Sequence, residues 1–360
     1  MICCDRCFKD LEIKAIIQGI NRQGMCETCN KKNVFVYDTD KNNELVDNFN
    51  ELLDIYTPLS SLPDNYPREK ANLLKDELND RWQIFNINNE KIYTLVKSIC
   101  HEKYTEMPEL FDSPIGITAL YQNDDYLTEN SILKNYNWED FVVEIKNVNR
   151  FHTNHINTKV LEMFCEVAIK SYKAGEVLYR ARISDEDGYA FDNMGAPPSG
   201  KASDGRANPL GISCLYLASD NETTLHEIRA SVYDYVTIGK FELLEDIDVV
   251  DFIALDKISP FSGINTELHA INKEHLRKIS NEIAKPLRRS DSSLDYLPTQ
   301  YITDFVKSKG HKGIRYKSTR NEKGYNLAVF NDELFECKEV NVFDVKSIKY
   351  DFLQLDEYFD

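Results

Sequence analysis

Gly205-Arg206-Ala207-Asn208-Pro209-Leu210-Gly211-Ile212 leads into Leu215-Tyr216-Leu217-Ala218-Ser219 and then into Thr224-Leu225-His226-Glu227-Ile228-Arg229. The first piece is polar and closed at both ends by glycine, the second is apolar enough for a buried strand, and the third reads as a helix. Loop, strand and helix thus follow one another within thirty residues. The loop begins upstream, at about residue 185, and is rich in Gly, Pro and Ser; a loop of that length inside a compact domain is functional or unstructured. Before it stands Val177-Leu178-Tyr179-Arg180-Ala181, a strand that carries an arginine among apolar neighbours. After it come short apolar strands at 235–238, 247–252, 313–316, 327–330 and 340–343, with helices near 222–231, 265–284 and 299–309. This pattern predicts a mixed α/β domain over 173–345. The acidic, aromatic tail 346–360 has no assignable role.

Upstream the texture is helical. Leu45, Phe49, Leu52, Leu53 and Tyr56 fall on a single helical stripe. Similar stripes run through Leu73, Leu74 and Leu78, through Trp138, Phe141, Val142 and Ile145, and through Val160, Leu161, Phe164, Val167 and Ala168. Pro58, Pro63, Pro67, Pro108 and Pro114 punctuate the segments between them. Residues 43–172 are therefore expected to form an all-α domain.

The first forty residues carry six basic and six acidic side chains and hold five of the nine cysteines. Cys4-x2-Cys7 and Cys26-x2-Cys29 supply two knuckles, each aiming two thiolates at one metal. The expectation is a closed Cys4 structural zinc site within a module at 1–42, with iron as the lesser alternative for a tetrahedral sulfur set. Cys3 could stand in for Cys4, although the CxxC register favours Cys4. Cys100, Cys165, Cys214 and Cys337 stand alone and read as core residues. The fold class is thus α+β: a zinc module, a helical domain and a C-terminal α/β domain.

Composition narrows the function. The chain of 360 residues has a formal charge of −17, which excludes broad binding to duplex nucleic acid. No uncharged apolar run approaches the ~18 residues that span a bilayer, and no secretory leader is evident, so a cytoplasmic protein without a membrane partner is expected.

Several motifs together carry a resemblance. They are the Tyr-Arg strand at 179–180, the Gly-Arg-x-Asn-Pro-x-Gly loop at 205–211 and the Leu-Tyr-Leu-Ala strand at 215–218. The Glu-x-Arg helix at 227–229, Leu297-Pro298-Thr299-Gln300 and Tyr316-Lys317-Ser318 complete the set. Residues from about 175 to 332 resemble the RES domain, the toxin half of bacterial toxin–antitoxin pairs. The region before it is similar to the zinc-bearing, HEPN-like segment sometimes attached to such domains. The resemblance implies an ADP-ribosyltransferase-like fold, consumption of NAD, and an antitoxin or trigger-sensing partner. It maps the family's Arg, Glu and Ser onto Arg180, Glu227 and Ser318, its strand Tyr onto Tyr216 and its loop Arg onto Arg206, with Tyr179 beside them as a binding residue.

The chemistry suits these residue types. Cleaving the nicotinamide–ribose bond builds positive charge on the ribose, which a fixed carboxylate stabilises as it develops. Glu227 is the candidate. Arg180 and Arg206 can clasp a diphosphate, Tyr216 can stack on nicotinamide, and Ser318 can bond the ribose. Plainer readings exist: Glu227 and Arg229 as solvated charges at a helix end, and Tyr216 as core. Arg180 resists the plain reading, because an unpaired cation in a half-buried strand is costly.

Two alternatives stay open. The same fold could transfer ADP-ribose to a protein. Arg150-x4-His155 also matches the spacing of HEPN-type ribonucleases, in which the histidine is the general base. The function expected first is an NAD glycohydrolase acting as a toxin or defence effector, regulated through its N-terminal region and possible as a homo-oligomer.

Overall fold

The computed structural model describes residues 1–121, 124–285, 292–321 and 323–349. Of the acidic tail, residues 350–360 lie outside the described residues. The chain divides into two compact units, one of residues 1–140, 154–161 and 257–277, the other of 141–153, 162–256 and 278–360.

In the first unit, β1 (Ile2–Cys4), β2 (Gln23–Gly24) and β3 (Val34–Asp38) form an antiparallel sheet in the order β1-β3-β2. Helix Leu11–Gly19 starts where the Asp10 side chain accepts from the N–H of Ile13 at 3.1 Å, and it buries Ile13 and Ile17. Helix Val46–Leu53 buries Phe49, Leu52 and Leu53, the stripe read from the sequence. One apolar core joins Cys3, Cys7, Phe8, Phe49, Phe85, Leu95 and Ile117, so the cysteine segment and the helices after it pack as one body.

The segment 43–172 departs from the all-α expectation. β4 (Thr57–Pro58), β5 (Asn72–Leu73) and β6 (Pro114–Gly116) pair antiparallel in the order β4-β6-β5. The proline-punctuated connections cannot continue a helix, and they satisfy their backbone groups by pairing with one another. Residues 257–277 join this unit from far along the chain, a link that no local pattern announces.

The second unit is built on an eight-stranded mixed sheet. Its strands are β7 (Ile169–Tyr172), β8 (Val177–Ser184), β9 (Leu215–Ala218), β10 (Tyr235–Leu243), β11 (Ile247–Asp251), β12 (Gly313–Lys317), β13 (Tyr325–Val329) and β14 (Phe335–Asp344). Their order is β14-β10-β8-β9-β13-β12-β11-β7, antiparallel throughout except for β11 beside β12. The sequence expectation missed β7. This short edge strand exposes Lys170 and Ser171, the polar dressing that sheet edges carry and that hides them from an apolar pattern.

Long ladders hold each half of the sheet: β10 pairs with β14 and β8 over nearly its whole length, and β13 pairs with β12 and β9. Between the halves, β8 and β9 meet at one residue pair, Tyr179 opposite Ala218. The two strands then part. Leu178, Leu215, Leu217, Phe241, Leu327 and Val329 fill the core on the apolar face of both halves.

Candidate active site

A cavity of about 340 Å³ opens where β8 and β9 diverge. Tyr179 and Arg180 enter it from β8, Tyr216 from β9, Arg206 from the glycine loop, and Glu227 from the helix Asn221–Glu227. Five of the six residues singled out in the sequence for this domain's chemistry therefore line one space. The sixth, Ser318, stands directly behind Glu227.

Glu227 is the last residue of its helix. Asp220 caps the other end, its side chain accepting from the N–H and the hydroxyl of Thr223 and from the hydroxyl of Ser219; against burial, the Ser219 bond and then those of Thr223 hold its carboxyl below the usual range. The helix stops because Arg229 turns left-handed, with φ +56°. Glycine or asparagine is usual at such a position; an arginine there carries backbone strain and places Arg229 in the cavity wall. His226 lines none of the cavity. Its ring lies 3.9 Å from Glu222, as the ~100° between successive helical residues requires.

The Glu227 carboxylate is held from one side. Ser318 Oγ donates to Oε1 at 2.8 Å, and Asn326 Nδ2 donates to the same oxygen at 2.9 Å. Ser318 is wholly buried and does not itself line the cavity, so it reaches that space through Glu227. Its Oγ in turn accepts from the N–H groups of Arg320 and Asn321, each at 3.3 Å.

Arg180 is the complementary feature. Its Nε and Nη1 are buried with no hydrogen-bond partner among the described residues. Burial, and then the charge of Arg182, push its guanidinium down to about 10. An arginine held this way in a cavity wall is set for an anion. Arg206 donates to the carbonyl of Ala284 at 3.1 Å and sits 5.7 Å over the ring of Tyr316. Arg320 also lines the cavity, its guanidinium lowered by burial and by the charge of Arg229. Four arginines thus face one carboxylate.

The glycine loop is a built structure. Tyr216 donates its hydroxyl proton to Asn208 Oδ1 at 2.6 Å and accepts from the N–H of Ala207 at 3.0 Å. Asn208 Nδ2 holds the carbonyls of Ser203 and Ile212, and Gln300 Nε2 holds those of Gly205 and Asn208. Gly205 is required because a Cβ there would lie 2.5 Å from the Tyr216 hydroxyl. Burial keeps that hydroxyl protonated, far above the usual tyrosine range.

Sequence reasoning did not single out Tyr296, Tyr316, Arg320 or Asn326 as site residues, though all line the cavity. Tyr316 lies two residues before Ser318 and Arg320 two after it. Asn326 is a polar residue inside an apolar strand, a signal that was available. Arg150 and His155, by contrast, sit in the irregular connection between Glu144–Val148 and helix Thr158–Val167. Arg150 is exposed, and the His155 ring packs 3.8 Å from that of Tyr136.

In the first unit, the sulfurs of Cys4, Cys7, Cys26 and Cys29 all lie within 4.8 Å of one another. The Cys4–Cys29, Cys7–Cys26 and Cys4–Cys7 separations are 3.5, 3.6 and 3.7 Å. A tetrahedron with metal–sulfur bonds of ~2.3 Å has edges of about 3.8 Å, so the donor set fits a metal ion. The N–H of Cys29 points at Cys26 Sγ, 3.3 Å away, as a knuckle turn requires. Cys3 is buried but is not part of this cluster.

Among the described residues, no helix is long and apolar enough to cross a membrane. No curated protein matches the chain. Among solved structures, it is similar to the crystal structure of the M. tuberculosis MbcT–MbcA toxin–antitoxin complex. That match has 12% identity and a TM-score of 0.31, and it covers 51% of this chain and 92% of the other. The RES domain model matches residues 177–352, which contain β8 to β14 and the residues around the cavity named above. From residue 177 to residue 352 the chain is a RES domain.

Proposed function

We propose that the RES domain cleaves the nicotinamide–ribose bond of NAD, and that the protein acts as a toxin or defence effector by consuming this cofactor. The observation that carries the reading is the pairing of a pinned carboxylate, Glu227, with the unpartnered guanidinium of Arg180 in one cavity. The dinucleotide's diphosphate would lie against Arg180, Arg206 and Arg320, and tyrosine rings would flank its bases.

In the proposed reaction the bond from ribose C1′ to the nicotinamide nitrogen breaks. The electron pair leaves with the ring and neutralises its charge, while the positive charge passes to C1′ and the ribose ring oxygen. Glu227 meets that charge through the oxygen not taken by Ser318 and Asn326. Because its position is fixed beforehand, little reorganisation is needed as the charge appears. Water then bonds to C1′ and gives up a proton, leaving ADP-ribose. If a protein side chain replaces the water, the product is an ADP-ribosylated protein.

The four cysteines are proposed to hold zinc. A closed Cys4 site has no open coordination position, so its contribution is structural: it ties β1 and the 26–29 knuckle into the core of the first unit. That unit is proposed as the regulatory region, and an antitoxin as the restraining partner that an NAD-consuming enzyme needs.

The test is incubation of the purified chain with NAD, measuring nicotinamide, ADP-ribose and ADP-ribosylated protein. Nicotinamide with free ADP-ribose supports the glycohydrolase, and ADP-ribosylated protein supports transfer. Release of no nicotinamide by the full chain or by residues 173–360 would overturn both.

A further inference from the structure

The first unit contains a second and larger cavity, of about 720 Å³, lined by its own residues. Tyr66 and Tyr121 form an aromatic corner there, with ring centroids 4.7 Å apart and planes at 69°. Tyr66 is fixed in place, since a Cβ on Gly116 of β6 would come within 2.5 Å of its ring. A flat ring entering this corner can stack on one tyrosine and meet the edge of the other.

The polar lining differs from that of the catalytic cavity. Glu69, Glu77 and Glu274 face it against Lys70 and Arg81, and both cations are engaged. Arg81 donates to the carbonyl of Ala270 at 2.7 Å and lies 3.9 Å from Glu274, while Lys70 sits 5.8 Å from the centroid of the Tyr121 ring. The balance is acidic, which disfavours a phosphate. His275, half-buried, also lines the space. Desolvation pushes it down to about 4, so at neutral pH the ring offers one donor and one acceptor. A half-buried neutral ring of this kind can exchange hydrogen bonds in both directions with the edge of a bound heterocycle.

We propose that this cavity binds an uncharged heteroaromatic molecule of the nucleobase or nucleoside class, stacked in the Tyr66–Tyr121 corner and hydrogen-bonded to His275. The site is separate from the catalytic cavity, and the inference stands whether or not the RES domain cleaves NAD.

Calorimetric titration of the full chain tests it, using adenosine, guanosine, cytidine and uridine, their free bases and their 5′-monophosphates. At least one uncharged member is expected to bind with Kd below about 100 μM, and its monophosphate at least about tenfold more weakly. His275→Phe, which keeps the ring volume without the nitrogens, should weaken binding at least about tenfold. Tyr121→Ala, at a half-buried position, should do the same and serves if the first variant does not fold. Glu227→Gln in the catalytic cavity should leave the affinity unchanged. Whether the base or the nucleoside binds tighter decides how much of the cavity is filled. Binding of no uncharged member, tighter binding of the monophosphate, or dependence on Glu227 with indifference to His275 and Tyr121 would each overturn the proposal.

Discussion

Ser318 Oγ donates to Oε1 of Glu227 at 2.8 Å across 91 positions of sequence. Two residues that sequence reasoning assigned separate contacts with substrate are thus one device, and Asn326 completes it from β13. A carboxylate held by two buried donors points its remaining oxygen in one direction, which is the preorganisation that oxocarbenium chemistry rewards.

This device decides which substitution tests catalysis. Glu227→Ala, the obvious choice from sequence, strands Asn326 Nδ2 in a buried setting and is expected to cost about 1–3 kcal/mol of stability. Glu227→Gln keeps a carbonyl oxygen for both donors. It should lower NAD turnover by about two orders of magnitude or more, as charge-stabilising groups do on removal, with the unfolding midpoint nearly unchanged. Turnover near the wild-type rate in Glu227→Gln would remove the carboxylate from the mechanism.

Much of this domain was legible because its motifs are local. The strand around Arg180, the glycine loop and the Glu227 helix each declare themselves within a dozen residues, and all but one of the sheet's strands were found. What stayed hidden depends on distant parts of the chain. The split between β8 and β9 is a matter of pairing, which strand propensity does not encode. Arg320 reaches the cavity from the bend after β12, and Tyr296 from the short helical turn Ser293–Tyr296 that leads into the helix Leu297–Ser308. Arg229 was visible as a charge at a helix end, but its left-handed turn into the cavity was not. Residues 257–277 join the first unit through tertiary packing of Ala270 and Ile271, with no pattern of their own to mark it.

Arg180 is expected to trade stability for binding. Its buried, unpartnered nitrogens destabilise the ligand-free protein, so Arg180→Leu should raise the unfolding free energy by an amount on the order of 1–3 kcal/mol. The same change should raise KM for NAD more than it lowers kcat, because a diphosphate contact acts alike on substrate and transition state. A less stable Arg180→Leu variant would mean that the guanidinium has a structural role.

The loop anchor makes a separate prediction. Tyr216→Phe removes a donor to Asn208 and an acceptor for the N–H of Ala207, but keeps the ring in the cavity wall. Stability should fall by about 1–3 kcal/mol, and KM should rise as Arg206 loses its fixed position. If Tyr216 acts only by stacking, the phenylalanine variant will match wild type in both measurements.

Metal content separates Cys3 from Cys4. Elemental analysis of the wild-type chain should find one zinc per chain. Cys4→Ser or Cys26→Ser should lose it and destabilise the first unit, because the four sulfurs close one shell. Cys3→Ser should keep it, since Cys3 is buried outside that cluster. Retention of zinc by Cys4→Ser with loss by Cys3→Ser would shift the register of the site by one residue.

The first unit should also weaken in acid, for a reason its histidines supply. Burial pushes His275 down to about 4, and burial with the charges of Lys273 and Arg81 pushes His269 to about 3. In the unfolded chain both bind protons near pH 6.5. Between pH 6.5 and 4 the unfolded state therefore holds more protons than the folded one, so stability rises with pH across that window. The contribution is complete above 6.5 and is lost as the pH falls toward 4. At ~1.4 kcal/mol per pKa unit, His275 contributes about 3 kcal/mol at neutral pH. Denaturant unfolding of wild type and His275→Phe between pH 7.5 and 5 measures this share directly. The difference in stability between the two should shift by the uptake of one proton per molecule across the window. Parallel pH profiles would mean that His275 titrates alike in the folded and unfolded chain, and that its ring is not desolvated as the cavity requires.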